Sequence, residues 1–387
     1  MLLICALVLA ACAPSAAPLP APSASDVLAA TVAPIAPSAT LAPSATTPAT
    51  RSPTTPPSPS PVPPTPPPTA PPARRGYEVT FWAPFVTILE QMTLTNNADV
   101  IKEANFFWYQ LKADGSIAGS VQSPEGVAAA RAAGLRIVPS IQNGDFDRAR
   151  VARLIHDQAQ RTRHVADIVK LVQEDGFDGI DVDYECLNAE DRDDFSAFIE
   201  ELAKALHAQG KLLSIAVHAK TDAQGSWNGP QAQDWLRLGA AVDSFKIMTY
   251  DFHSAGGPAG SIAPLDWVDQ VLTYAATVVP PAKTYLGVPL YGYDWAGATA
   301  QSLNWRQATK LKDSNDAQVQ RDASNEGFFS YGTDGRDTVY FNDGLTMQTR
   351  LQDALARHPQ IAGIALWSLG GEDPANWTAI REAFAGR

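Results

Sequence analysis

Four acidic residues stand close together near the middle of the chain, in the segment GFDGIDVDYE at positions 176–185. Three of them, Asp181, Asp183 and Glu185, are separated from one another by single apolar or aromatic residues. Alternate side chains of an extended strand share a face, so these carboxylates are predicted to converge. Burying like charges together is costly unless protons are shared and hydrogen bonds are supplied. The pattern therefore predicts a site that uses its carboxylates for acid–base work, as glycosidases do.

Two other interpretations of this strand remain open. Alternating acids can keep a solvated edge strand from pairing with neighbours, and clustered carboxylates can bind a divalent cation. Polar, helix-like stretches at 163–175 and 189–210 flank the strand, which favours an interior position in a parallel sheet. No His, Asn or glycine-turn loop lies near the acids to support a calcium loop.

At these residues the chain resembles the family-18 glycoside hydrolases, the chitinase-like enzymes, whose signature Asp-x-x-Asp-x-Asp-x-Glu is filled from Asp178 to Glu185. Further segments similar to the family follow in order: KIMTYD at 246–251, LGVPLYGYDW at 286–295 and GIALWS at 363–368. The resemblance covers residues 76–387. The YGYDW run and the Gly256-Gly257-Pro258 loop are most similar to the bacterial spore-germination and cortex-lytic branch, which acts on peptidoglycan.

The resemblance implies a retaining hydrolase of β-1,4-linked N-acetylglucosamine glycans, in which the sugar's own 2-acetamido oxygen attacks the anomeric carbon. Glu185 would be the general acid and then the general base. Asp183 would orient the acetamido group and stabilise the oxazolinium intermediate, while Asp181 shares a proton with it. Tyr250 would donate its hydroxyl to the acetamido oxygen. Family members that lose the terminal Glu persist as lectins, and this non-enzymatic alternative stays open.

The family also implies residues that bind substrate. Asp251 would bind sugar hydroxyls, Asp178 would support the strand from behind, and Trp367 would form the floor under the cleaved sugar. Tyr291 and Trp295 are candidate sugar contacts.

Other candidates are ambiguous or depart from the family. Trp82, Trp108 and Tyr109 either extend the cleft or pack beneath loops, and His218 is expected to be a structural hydrogen-bonding residue. The third strand ends in Ser140-Ile-Gln-Asn-Gly144 instead of the usual Ser-x-Gly-Gly. The amides of Gln142 and Asn143 are therefore predicted to contact a substituent such as the lactyl ether of muramic acid.

These residues require an α/β scaffold, predicted to be a (β/α)8 TIM barrel with the acids on its fourth strand. The predicted strands are 77–83, 104–109, 135–141, 179–185, 212–218, 244–251, 285–290 and 361–367. A small α+β insertion is predicted at 296–343, with a hairpin formed by 327–331 and 338–341. Active-site residues should gather at the carboxyl ends of the barrel strands.

The first 75 residues differ from the rest. The short apolar run 2–11 ends in Leu-Ala-Ala-Cys12, which resembles a bacterial lipobox, so 1–12 is predicted to be a lipoprotein signal with lipidation at Cys12. An ordinary signal peptide is the alternative. No Lys or Arg precedes the run, which suggests a start codon upstream. Residues 13–75 hold 20 of the chain's 31 prolines and are predicted to be a disordered linker.

Residues 76–387 are then the catalytic domain, held outside the cytoplasm on the membrane surface. Leaving out the one acid and three bases of residues 1–75 changes the formal net charge from −12 to −14, which argues against a nucleic-acid partner. Cys186 is the single cysteine of this domain, so the domain cannot close a disulfide within itself. A monomer that needs no metal ion and no organic cofactor is expected.

Overall fold

The computed structural model describes residues 76–84, 88–144, 147–297 and 300–385. The predicted signal segment with Cys12 and the predicted linker lie outside the described residues. Within the described ranges, no helix is both long enough and apolar enough to cross a membrane.

The described chain contains two β-sheets. The strands up to the insertion are β1 (Glu78–Ala83), β2 (Ile101–Leu111), β3 (Ile117–Gly119), β4 (Arg136–Ile137), β5 (Ser140–Gln142), β6 (Gly179–Asp183), β7 (Leu212–His218), β8 (Ser244–Met248) and β9 (Thr284–Pro289). The later strands are β10 (Tyr291–Trp295), β11 (Gln301–Asn304), β12 (Gln320–Arg321), β13 (Gly327–Tyr331), β14 (Asp337–Phe341) and β15 (Gly363–Trp367).

Helices alternate with the barrel strands. They are α1 (Ile88–Asn96), α2 (Pro124–Ala132), α3 (Arg148–His156), α4 (Gln158–Glu174), α5 (Arg192–His207), α6 (Asn228–Gln231), α7 (Trp235–Ala241), α8 (Leu265–Val278), α9 (Trp305–Ser314), α10 (Gly344–Arg357) and α11 (Ala375–Phe384). In α5, Phe195, Ile199, Leu202 and Leu206 recur at helical spacing and are buried. Each such buried side chain contributes about 1.5–3 kcal/mol of stability.

The larger sheet closes on itself. Its strand order is β1, β15, β9, β8, β7, β6, β5 and β2, and a β1–β2 pairing completes the ring. All of these pairings are parallel, and the short β4 pairs with β2 below β5. The predicted (β/α)8 barrel is therefore confirmed.

The acid-bearing strand is the interior strand β6. Asp181 is aligned with Ser140 of β5 on one side and with Ser214 of β7 on the other. The Asp181 side chain is completely buried. The interpretation of this segment as a solvated edge strand is excluded.

Several predicted strand boundaries are wrong. The strand predicted at 135–141 is broken into β4 and β5, where Pro139 offers no backbone N–H to the ladder. β6 ends at Asp183 and β8 ends at Met248, so Glu185, Tyr250 and Asp251 lie beyond the ladders, in the connections that follow.

The insertion is a five-stranded antiparallel sheet in the order β11, β10, β14, β13 and β12. It starts at Tyr291, not at the predicted 296, because the YGYDW run forms β10. The predicted hairpin is present as β13 and β14. Glu326, just before β13, accepts hydrogen bonds from the Ser261 hydroxyl (2.7 Å) and the Ile262 N–H (2.9 Å). These bonds join the insertion to the connection after β8.

Candidate active site

Asp181 lies inside the barrel with both carboxylate oxygens occupied. Its Oδ2 accepts hydrogen bonds from Trp82 Nε1 (2.9 Å) and Ser140 Oγ (2.8 Å). Its Oδ1 accepts from Ser214 Oγ (2.5 Å) and Lys246 Nζ (3.3 Å). Four strands of the barrel thus supply donors to this one carboxylate, which fixes its position.

A buried chain of charges continues from Asp181 into the barrel interior. Lys246 Nζ also donates to Glu103 Oε1 (2.9 Å) and Asn105 Oδ1 (2.7 Å). Glu103 in turn accepts from Arg136 Nε at 3.2 Å. Burial would raise the pKa of Glu103, but the charges of Lys246 and Arg136 outweigh it and hold that pKa below its ordinary value.

Sequence reasoning missed this charged chain. Part of its signal is visible in retrospect, because Lys246 interrupts the apolar run FKIM of β8, whereas Glu103 lies beside the polar residues Lys102 and Asn105 in β2. A charged residue is almost never fully buried without a partner. Lys246 therefore indicates a buried anion nearby, but the sequence does not identify Glu103 as that anion.

Asp183 has a different environment from Asp181. Its side chain is buried, and its Oδ1 has no hydrogen-bond partner. Burial and the nearby Asp181 charge raise its pKa to about 8, while Lys246 opposes the rise. Asp183 therefore carries a proton near neutral pH. Asp178, by contrast, stands just before the strand, where its Oδ2 accepts from the Ile137 N–H (2.7 Å).

Glu185 follows β6 and is held through its backbone. Its N–H donates to Asn143 Oδ1 (3.1 Å), and its carbonyl oxygen accepts from Asn143 Nδ2 (2.8 Å). Burial, followed by the charges of Asp183 and Asp251, raises the pKa of the Glu185 carboxyl well above its ordinary value. A protonated carboxyl at the end of a barrel strand is suited to act as a general acid.

The hypothesis that Asn143 presents its amide to substrate is wrong, because the completely buried amide is engaged by the Glu185 backbone. Gln142 is only half-buried and is aligned with Asp183 across the β5–β6 ladder, so it shares the face of that carboxylate. A contact between Gln142 and substrate stays a prediction.

We expect Asn143→Ala to reduce kcat by about 10- to 100-fold, because the peptide that positions Glu185 loses its clamp. The two orphaned backbone groups should also cost about 1–3 kcal/mol of stability. Steady-state kinetics and thermal unfolding would measure both effects. Asn97→Ala is the matched control and should leave kcat within a few fold, because the buried Asn97 amide also donates to a backbone carbonyl, that of Thr93 (2.8 Å), but does not line the cleft. An unaltered kcat in Asn143→Ala would show that Glu185 needs no such clamp.

Tyr250 and Asp251 follow β8. Burial and the surrounding carboxylates raise the pKa of the Tyr250 hydroxyl, which therefore remains a hydrogen-bond donor. Asp251 has a φ of 61° and accepts at Oδ1 from the hydroxyls of Tyr291 (2.5 Å) and Tyr293 (2.9 Å). Its Oδ2 is buried without a partner, and burial raises its pKa to about 6.

A cleft of about 570 Å³ opens from Glu185. The residues that line it include His218, Trp227, Tyr250, Asp251 and other residues of the connection after β8. His218 Nε2 accepts from a backbone N–H (3.4 Å) and lies 3.8 Å from Glu185 Oε2. Burial lowers the pKa of His218 to about 3, so the imidazole is neutral and this approach is not an ion pair.

The aromatic candidates divide into two groups. Trp367 is partly exposed and packs against Trp82 (6.1 Å between ring centroids) and Phe107 (5.1 Å). Trp295 donates its Nε1–H to the Gly257 carbonyl (3.1 Å). The Tyr291 hydroxyl donates to Asp251 Oδ1. These residues lie in contact with the cluster around Tyr250.

Three aromatic residues whose role was open are core residues. Trp82 is 1% exposed and lies beneath Asp181. Trp108 is buried and stacks on Phe106, while Tyr109 is buried and donates to Asp175 Oδ2 (2.8 Å). None of the three extends the cleft.

The acids form no recognisable metal centre. In the part of the chain that the structure describes, no group of three or more His, Cys, Asp or Glu side chains is arranged to hold a metal ion. Asp181 is already saturated by N–H and O–H donors, so its oxygens do not fit a hard cation.

Comparison with known proteins agrees with this geometry. The sequence profile of the glycosyl hydrolases family 18 matches residues 84–373. The cortical fragment-lytic enzyme of Bacillus subtilis (strain 168) is 31% identical over 261 residues, which make up 65% of this chain and 60% of that enzyme. The chain thus matches less than two thirds of the length of that relative.

Solved structures show the same likeness. The chitinase from Chromobacterium violaceum ATCC 12472 is 27% identical with a TM-score of 0.73, covering 80% of this chain and 100% of that one. The spore cortex-lytic enzyme SleL of Bacillus megaterium QM B1551 is 25% identical with a TM-score of 0.72, covering 81% and 75%. The expected likeness to the cortex-lytic branch is confirmed. With the profile matched over most of the barrel and its insertion, the chain belongs to the glycosyl hydrolases of family 18.

Proposed function

We propose that this chain hydrolyses β-1,4-linked N-acetylglucosamine glycans, of peptidoglycan or chitin type, with retention of configuration. One observation carries the proposal: Glu185, Tyr250 and Asp251 line the cleft, the buried Asp183 lies close to Glu185 and Tyr250, and all four groups have raised pKa values. Perturbed carboxyl groups in a cleft are typical of sites that transfer protons.

In the first step, the protonated Glu185 donates its proton to the glycosidic oxygen as that oxygen leaves the anomeric carbon. The acetamido oxygen of the same sugar attacks the anomeric carbon and closes a cationic oxazolinium ring. Tyr250 donates a hydrogen bond to the acetamido oxygen, while Asp183 accepts from the acetamido N–H. The negative charge of the Asp181 carboxylate, next to Asp183, stabilises the cation as it forms.

In the second step, the Glu185 carboxylate takes a proton from water, and the hydroxide adds to the anomeric carbon as the oxazolinium ring reopens. The acid group is thereby restored. Two successive inversions at one carbon give net retention. Asp251, whose Oδ2 has no protein partner, is placed to accept from a sugar hydroxyl.

The test is product release from purified peptidoglycan and from chitooligosaccharides by the full chain, followed by mass spectrometry. Fragments with N-acetylglucosamine at the reducing end are expected, and the polymer that yields them identifies the substrate. Binding to either glycan without any product would support the lectin alternative. The intact Glu185, Asp183 and Tyr250 and the open cleft beside them argue against that alternative.

We also propose that the protein is exported and anchored to the cell envelope by lipid at Cys12. Support comes from the sequence Leu-Ala-Ala-Cys12 after a short apolar run and from the proline-rich stretch behind it. In a bacterial host, metabolic labelling with radioactive palmitate should mark the wild type. Cys12→Ala should abolish the label and release the protein from membranes, whereas Cys5→Ala should keep both. Labelling that survives Cys12→Ala would contradict the anchor.

A further inference from the structure

A fully buried ammonium group lies directly behind the acidic cluster. The Lys246 side chain has no solvent exposure. Its Nζ reaches three acceptors: Asn105 Oδ1, Glu103 Oε1 and Asp181 Oδ1. An ammonium group has three N–H donors, so each hydrogen has a partner. Loss of one proton would leave one of these buried acceptors without its donor, which keeps Lys246 charged.

The Asp181 carboxylate, which accepts from Lys246, is also fully hydrogen-bonded. A carboxylate offers about four lone-pair sites, and Asp181 receives four donors, two on each oxygen. A proton added to either oxygen of Asp181 would displace a buried donor. It would also leave the Lys246 charge less compensated.

Asp183, two residues further along the strand, is the opposite case. It has no donor at Oδ1, it is buried, and it stands beside the Asp181 charge. An uncompensated carboxylate is costly in such a place, and a neutral carboxyl group costs much less. The two neighbours therefore differ in the protonation state that their surroundings favour.

We propose that Lys246 is a positioning residue that holds Asp181 as a carboxylate and thereby confines the single proton of the Asp181–Asp183 pair to Asp183. This inference rests on the proposed function, since it assigns protonation states within the same site. It replaces the expectation that Asp181 shares a proton with Asp183. Asp181 then acts only as a fixed negative charge.

The saturated Asp181 carboxylate limits where the Asp183 proton can go. With Asp181 closed to it, the Asp183 proton can leave only on the cleft side, where Glu185 and Tyr250 lie close. Once Glu185 has given its proton to the leaving oxygen, its carboxylate can take the Asp183 proton, which leaves an anion beside the oxazolinium cation. The proton returns to Asp183 before Glu185 takes a proton from water. The buried cation thus directs proton movement without touching substrate.

Other groups around the pair must be considered in any pH dependence. The side chains that face Lys246, Asp181 and their partners from the surrounding strands are Trp82 and Glu78 on β1, Glu103 and Asn105 on β2, Arg136 on β4, Ser140 on β5, Asp183 on β6, Ser214 on β7 and Tyr285 on β9. Among these groups, Glu103 is the second anion that lies within hydrogen-bond distance of Lys246. Glu103 is therefore the matched site for a control.

The first experiment reads protonation without activity. Infrared difference spectra of the full chain, wild type minus Asp181→Asn, should show no protonated-carboxyl band from about pH 5 to 8. Wild type minus Asp183→Asn should show one. In the Lys246→Met background, the Asp181→Asn difference should gain the protonated band. A protonated Asp181 in the wild type in this range would overturn the proposal.

The second experiment compares pH–rate profiles of Lys246→Met and Glu103→Gln. Removing the cation should let the cluster take a second proton more easily, which moves the acid limb to higher pH by about 1–3 units. Removing the anion should move the same limb to lower pH. A merely structural role would alter rates in both variants without shifts of opposite sign.

The results of these experiments distinguish a failure of the proposed hydrolase function from a failure of the inference about Lys246. If the wild type cleaves neither glycan, the proposed function fails, and the infrared spectra still decide the role of Lys246. If cleavage occurs but both limbs stay unchanged, the inference about Lys246 is wrong while the hydrolase remains. Should Lys246→Met not fold, the direction of the shift in Glu103→Gln and the wild-type spectra still support or overturn the inference.

Discussion

Glu185→Gln is expected to lower kcat on the susceptible glycan by about 10²- to 10⁴-fold with little change in KM, because the amide cannot donate a proton to the leaving oxygen. The amide has nearly the same shape as the carboxyl group. The backbone clamp from Asn143 does not involve the Glu185 side chain and should persist. Mass spectrometry of released fragments, combined with glycan binding by calorimetry, measures both parts of the expectation.

The interpretation depends on an intact fold. The melting temperature of Glu185→Gln should equal or exceed that of the wild type, since a buried acid with a raised pKa is replaced by a neutral group. A variant that keeps more than about one tenth of wild-type kcat would assign the general acid elsewhere, since acid–base catalysis contributes more than that.

Asp183→Asn is expected to lower kcat by about 10²- to 10³-fold, a size typical of losing one preorganised electrostatic contact in the transition state. The amide keeps a polar contact to the acetamido group but cannot become an anion beside the oxazolinium cation. Kinetics on the same glycan measure the loss. Near wild-type kcat would remove Asp183 from the mechanism.

The same variant should change the pH dependence of stability. In the folded protein the pKa of Asp183 is raised from 3.8 to about 8. Its contribution to stability is therefore complete below its ordinary pKa and is lost as the pH rises through about 8. Asp183→Asn has no such loss. The melting temperature of the wild type should fall relative to the variant between about pH 4 and pH 8, and parallel curves would contradict the raised pKa.

Much of the site was predictable because it follows local spacing. The two-residue period of a strand places Asp181 and Asp183 on one face, and Glu185 follows two residues later, just beyond the end of β6. Burial of that face then accounts for the raised pKa values of Asp183 and Glu185. The barrel likewise follows from the regular alternation of apolar runs and helical stretches.

The remainder depends on contacts between residues far apart in the chain. Lys246 lies 143 residues from Glu103, and no spacing rule joins them. Asn143 was assigned to substrate because it stands where the resembled family has a glycine, but its amide is engaged by the backbone of Glu185, 42 residues away. Asp251 has a left-handed φ that a strand pattern cannot indicate. Such features come from tertiary packing and not from local sequence.

The insertion supplies hydrogen-bond donors to a carboxylate of the candidate active site. A single residue separates the end of β9 from the start of β10, whose Tyr291 and Tyr293 are the donors to Asp251. A graft that exchanged this sheet for that of a relative would replace the electrostatic surroundings of an active-site carboxylate along with the cleft wall. Loss of the sheet from this protein would leave Asp251 Oδ1 without both of its hydroxyl donors.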